Sequence, residues 1–161
     1  MGDHTQQIRT PFSTPSSPGP LSRGLPGVVS KVVMYGGSHG GFLTAHVCGQ
    51  HPGLLRAVAM RNPVLHIGLM FHESDIPDCC SYEASTPATM SAAEAEGLMR
   101  QMSPIQHVDK VEVPTLLALG QDDLWVPPPQ GRAWVGAGVG SQRQASFFCF
   151  QLVTLTCSKR K

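Results

Sequence analysis

The residue best placed to do chemistry is Ser38. It stands at the tip of Gly36-Gly37-Ser38-His39-Gly40, a G-x-S-x-G spacing. The apolar run Val32-Val33-Met34-Tyr35 precedes it, and a segment of helical character begins at Phe42. In a strand–turn–helix setting this pattern reads as a nucleophile elbow. The serine sits in a strained turn, and the chain passes close to its neighbours on both sides. Gly36 and Gly40 are therefore expected at positions where a bulky Cβ is excluded. The backbone N–H of His39 opens the helix and points toward a developing oxyanion. The chemistry of such a turn is nucleophilic attack on an acyl carbonyl. The alternative is a glycine-rich loop with a solvent-exposed serine.

A second group follows the apolar run Val111 to Gly120, at Gln121-Asp122-Asp123. A triad acid sits just past the carboxyl end of a parallel strand, and the order Ser…Asp fits an elbow-type hydrolase. A turn aspartate capping the next element would occupy the same place. His46 falls at an apolar helical position and reads as a packed core histidine. His66, His72 and Glu73 invite a metal reading, but His72-Glu73 lacks the second histidine of HExxH, and these residues read as surface or packed. The five cysteines (Cys48, Cys79, Cys80, Cys149, Cys157) form an odd set without CxxC spacing. They read as free thiols in a reducing compartment. The adjacent Cys79-Cys80 is the pair a reactive or metal-binding reading would use, but neighbouring cysteines rarely ligate one zinc ion. No metal is expected.

These residues need a frame, and the chain of 161 residues is long enough for one domain with a core. Its net charge of +1, with 14% charged residues, leaves no footprint for nucleic acid or an anionic membrane. No apolar run is long enough for a transmembrane helix, and no signal peptide is visible. Residues 1–28 read as a disordered Pro/Ser/Gly-rich head. Residues 29–130 carry the patterned core. Val29 to Tyr35, Leu55 to Met60 and Val111 to Gly120 read as buried strands. Gly40 to Gln50 reads as a helix stopped by His51-Pro52-Gly53. Strand–helix–strand spacing implies parallel pairing, which places Ser38 and the region of Asn62 on one sheet edge. Met90 to Gln101 reads as a helix with Ser91 as N-cap and Glu94 as capping-box partner. Residues 131–161 form a divergent glycine-rich tail. Gly131 to Gly140 has no clear helical face, and Phe147 to Thr156 has the β propensity of an edge strand, or of an aggregating segment if exposed. The fold class is α/β.

Several short motifs then converge. Tyr35 to His46, His51-Pro52-Gly53-Leu54, Arg61-Asn62-Pro63-Val64, Asp75-Ile76-Pro77-Asp78, Ser103-Pro104-Ile105 and Gly120-Gln121-Asp122-Asp123 resemble the catalytic domain of the acylaminoacyl-peptidases, in the prolyl oligopeptidase family of serine peptidases. The resemblance covers about Val32 to Gln130. It implies an α/β-hydrolase fold, incomplete here, and a Ser-Asp-His triad in that chain order. It also implies a cytosolic, cofactor-free enzyme that removes an N-acylated residue, typically acetylated, from peptide N-termini. Ser38 matches the nucleophile and His39 the backbone oxyanion donor. Gly120, Asp123, Val126 and Pro127 fit the family's G-x-x-D-x-x-V-P pattern, which selects Asp123 over Asp122. Leu124-Trp125 stands where these peptidases carry basic residues.

The resemblance also implies a general-base histidine after the acid, but no histidine follows His107. Loss of that base costs about 10⁶-fold in a subtilisin triad. Two expectations result. One is a serine-type exopeptidase working through an acyl-enzyme on Ser38, with an N-acylated peptide as substrate. The other is an inactive fragment that acts only by association, with its own kind or with a full-length relative.

Overall fold

The computed structural model describes residues 32–140 and 147–152. The Pro-rich head, Val29 to Lys31 and the residues after Leu152, Cys157 among them, lie outside the described residues.

The strands are β1 (Val33–Gly37), β2 (Ala57–Arg61), β3 (Thr115–Gly120) and β4 (Phe147–Leu152). They form one sheet in the order β1-β2-β3-β4, and every neighbouring pair is parallel. The register aligns Gly37 with Arg61 and Arg61 with Ala118. The carboxyl ends of β1, β2 and β3 therefore lie side by side. The third strand begins only at Thr115, later than its apolar run, because Pro114 has no N–H to give the ladder. Its carbonyl still accepts from Val58 N–H at 3.0 Å.

Six helical segments cover the strands among the described residues. The first, α1 (His39–Gln50), leaves the tip of β1 directly and ends at His51. Two short helices, α2 (Ile67–Glu73) and α3 (Asp78–Glu83), follow β2. Then comes α4 (Ala92–Gln101), where Ser91 and Glu94 form the expected reciprocal capping box. A 3-10 helix (Pro104–Lys110) precedes β3, and α5 (Pro129–Gly140) follows it.

That last helix differs from the sequence expectation, which found no helical face there. The reason is packing. Trp134 is fully buried, and Gly131 lies so close to β3 that a Cβ would stand 2.6 Å from a Leu119 methyl. Tertiary contact overrides the low propensity of glycine.

Two apolar clusters make the core. One joins α1, β2, β3 and α5 through Ala45, Val58, Met60, Leu117, Leu119 and Trp134. The other gathers Phe42, Ile67, Met70, Cys80, Met99 and Val126 beside the tip of β1. The second cluster underlies the site.

Candidate functional site

Ser38 occupies the turn between β1 and α1 with φ 52° and ψ −122°. This is a conformation that side chains rarely adopt, and it persists only where its surroundings fix it. Four backbone hydrogen bonds do so. Ser38 N–H donates to the Arg61 carbonyl at 3.0 Å. The Ser38 carbonyl accepts from Gly41 N–H at 2.9 Å, Phe42 N–H at 3.1 Å and Val64 N–H at 3.4 Å. The turn is thus tied to its own helix and to the end of the neighbouring strand, while Ser38 itself stays exposed.

Space explains one of the two flanking glycines. A Cβ on Gly36 would collide with the Gly40 carbonyl and stand 2.5 Å from Thr44 Oγ1. The sequence expectation for Gly40 does not hold, because a Cβ there would meet nothing within 4 Å. The second tight position is Gly41, where a Cβ would lie 2.5 Å from Pro63 Cβ. Crossing of α1 over the Asn62-Pro63 corner sets that limit.

His39 opens α1, so its backbone N–H belongs to the first turn and has no carbonyl four residues earlier to bond. Its side chain is engaged elsewhere. The ring stacks on Phe42 with centroids 5.4 Å apart, and Nε2 lies 3.3 Å from Glu83 Oε2. The ring is therefore turned to α3.

Asp123 follows β3 in a tight turn, with Asp123 N–H to Gly120 O at 3.4 Å. Its Oδ1 accepts from Trp125 N–H at 3.0 Å and Val126 N–H at 2.9 Å. Its Oδ2 accepts from the Asn62 side-chain amide. Asn62 Oδ1 in turn accepts from Gly120 N–H at 2.6 Å. Asp123 thus does cap its own turn, and it is also held against the end of β2. The neighbouring Asp122 is exposed, and among the described residues no hydrogen bond fixes its carboxylate.

Sequence reasoning put Asn62 on the right edge but missed its bridging role. The available signal was a polar amide directly before Pro63 at a strand end. Asn62 takes φ 40°, a left-handed backbone that asparagine tolerates better than most residues.

A pocket of about 200 Å³ opens beside Ser38. Phe42, Val64, Ile67, Met70, Ile76 and Val126 give it apolar walls, and His39, Glu83, Cys79, Cys80 and Trp125 complete its lining. Two hydrogen bonds tie its rim together across the chain. Ser74 Oγ donates to Trp125 O at 2.7 Å, and Asp75 N–H donates to Leu124 O at 3.1 Å. Deeper in, Gln130 Oε1 accepts from Leu65 N–H at 2.8 Å, and Ser103 Oγ accepts from Ile67 N–H at 2.8 Å. These buried polar contacts fix the backbone that carries Val64 and Ile67.

Two further histidines make structural hydrogen bonds. His46 projects from α1 to the end of α4, where Gln50 donates to its Nδ1 at 2.8 Å and its Nε2 donates to Met102 O at 3.1 Å. Burial lowers its pKa. His66 Nδ1 accepts from Leu69 N–H at 3.0 Å and caps α2. His72 and Glu73 end the same helix, and no group of three or more metal-ligating side chains occurs among the described residues.

Comparison with known proteins places this geometry. The sequence model of the prolyl oligopeptidase family matches residues 28–150. The acylamino-acid-releasing enzyme of Arabidopsis thaliana is 47% identical over 112 residues, which are 67% of this chain and 15% of that protein. The Homo sapiens acylamino-acid-releasing enzyme is 41% identical over 111 residues, again 67% of this chain and 15% of the relative. The chain thus spans about 15% of the length of the curated relatives it matches. Among solved structures, a Pyrococcus horikoshii acylaminoacyl peptidase superposes with a TM-score of 0.66 at 17% identity, over 77% of this chain and 19% of that one. A Mycobacterium tuberculosis puromycin-hydrolyzing peptidase gives 0.62 at 20% identity, over 76% and 18%. At those identities the likeness shows a shared fold.

Proposed function

The chain belongs to the prolyl oligopeptidase family and carries part of its α/β-hydrolase fold, and from that premise we propose that it is the nucleophile-bearing part of a serine-type exopeptidase. Its substrates are N-acylated peptides, and it releases the acylated terminal residue through an acyl-enzyme on Ser38. The observation that carries this reading is the Ser38 backbone at φ 52° and ψ −122°, beside an apolar pocket of about 200 Å³. The acylamino-acid-releasing enzymes among the relatives support the substrate class.

In this reading Ser38 Oγ attacks the carbonyl carbon of the acylated residue, whose side chain lies in the apolar pocket. The carbonyl electrons move to oxygen, where the His39 N–H and the amino end of α1 meet the charge. Collapse of the intermediate breaks the C–N bond, the peptide leaves as an amine, and water then hydrolyses the Ser38 ester. A general base takes the Ser38 hydroxyl proton and returns it to the leaving nitrogen, and Asp123, fixed by Asn62 and two backbone N–H groups, is the acid placed to orient that base. All seven histidines precede Asp123 in the sequence, and His39 is committed to Glu83. The residues these contacts assign are therefore the nucleophile Ser38, the His39 N–H and the acid Asp123.

The test is labelling of the purified chain with a fluorophosphonate probe. The expected result is one label on Ser38, abolished in Ser38→Ala. Cleavage of an acetyl-alanine reporter in preference to its unacetylated form checks the substrate class. A folded sample that takes no label would overturn the catalytic reading and leave an association module.

A further inference from the structure

The wall of the pocket beside Ser38 contains two thiols that neither the elbow nor the acid uses. Cys79 and Cys80 lie in the first turn of α3, with their Sγ atoms 4.0 Å apart. Cys79 is exposed and Cys80 is buried, and both line the pocket with Phe42, Met70 and Val126. We propose that Cys79 and Cys80 form a dithiol site that captures a trivalent organoarsenical, whose organic group then fills the pocket beside Ser38.

Geometry selects this chemistry over its competitors. A disulfide would need the sulfurs to close from 4.0 Å to about 2.05 Å, and Cα atoms across one trans peptide are about 3.8 Å apart, short of the usual 4.4–6.8 Å span. The helical backbone of α3 opposes that closure. Structural zinc takes four ligands, and no group of three or more metal-ligating side chains occurs among the described residues. A trivalent arsenic bearing one carbon substituent needs only two sulfurs, and a bridging atom lets them stay apart.

The step balances without an oxidant. An arsenoxide, R–As=O, gains two As–S bonds, and its oxygen leaves as water with the two thiol protons. Arsenic stays trivalent. Burial, followed by the neighbouring Cys79, pushes the Cys80 thiol up to about 12, so Cys80 enters the site protonated and its proton leaves in the water formed. The pocket adds selectivity, because an aryl substituent exchanges water for the side chains of Phe42, Met70 and Val126.

The experiment is intact-protein mass spectrometry of the full chain with phenylarsine oxide, in excess monothiol and then in excess dithiol. One arsenical per chain is expected. It should survive the monothiol, leave with the dithiol, and bind more tightly than inorganic arsenite. Cys79→Ser and Cys80→Ala should each reduce the occupancy to none. Cys79 is exposed, so its variant keeps the fold. Cys48→Ser and a Cys149→Ser/Cys157→Ser double variant should bind as the parent does. Undiminished binding by Cys79→Ser, or loss of binding in the double variant, would overturn the proposal. Neither readout depends on turnover.

Discussion

At the scale of single residues, the elbow depends on where a Cβ has room. Gly36 and Gly40 are symmetric in the G-x-S-x-G pattern but unequal in space. Gly36 faces the backbone of α1, which cannot yield without moving the helix, whereas Gly40 faces nothing within 4 Å. Gly36→Ala should therefore disrupt the turn that holds Ser38, lowering both stability and labelling. Gly40→Ala should be tolerated, and it should gain about 0.5–1 kcal/mol because alanine loses less backbone entropy than glycine in a helix. Urea denaturation of the two variants checks this. Equal losses would refute it and restore the symmetric reading. The sequence made the serine legible through its motif. It did not make Asn62 legible, because the role of that side chain depends on a strand more than fifty residues away, through Gly120 N–H and Asp123.

At the scale of elements, period and punctuation were enough for most of the sheet. The apolar runs gave three strands to within a few residues, and the Ser91–Glu94 box marked the start of α4 to the residue. The helix α5 was not legible for a physical reason. Its glycines lower the intrinsic preference for helix, and its stability comes from contacts made only in the folded state. Trp134 carries most of that contact, as it is fully buried among Leu117, Leu119 and the rest of the larger cluster. Trp134→Ala should cost about 3–5 kcal/mol, the range for removing a large core aromatic. Chemical denaturation measures this loss, and a loss below about 1 kcal/mol would mean that α5 does not pack on the sheet. Gln130 begins the same helix and holds Leu65 N–H, so a loosened α5 also reaches the pocket wall.

At the scale of the whole molecule, the described sheet is unevenly covered. Parallel sheets normally have both faces buried, yet Val33 and Tyr35 on β1 are 69% and 70% exposed. Burial disfavours the charged form of His46, His66 and His107, and this makes stability sensitive to pH. Burial lowers the pKa of His46, outweighing the Met102 carbonyl that raises it. Burial and then Arg100 lower that of His66, and burial and then Lys110 lower that of His107. His46 accepts a hydrogen bond from Gln50 at Nδ1, and His66 accepts the capping bond of α2 at Nδ1, so both bonds require an unprotonated nitrogen. The sign follows. The unfolded chain binds protons near the ordinary histidine value of about 6.5, before the folded chain does, so stability rises with pH through that window. The contribution is complete above the unfolded value and is lost as pH falls from there through the lowered folded values. Melting temperature should therefore drop between about pH 7.5 and pH 5.5, before most carboxylates titrate. Replacing His46 with Gln should flatten the drop, because a neutral amide takes up no proton in either state. A melting temperature unchanged across that range, or the same slope in the variant, would show that these rings do not couple protonation to folding.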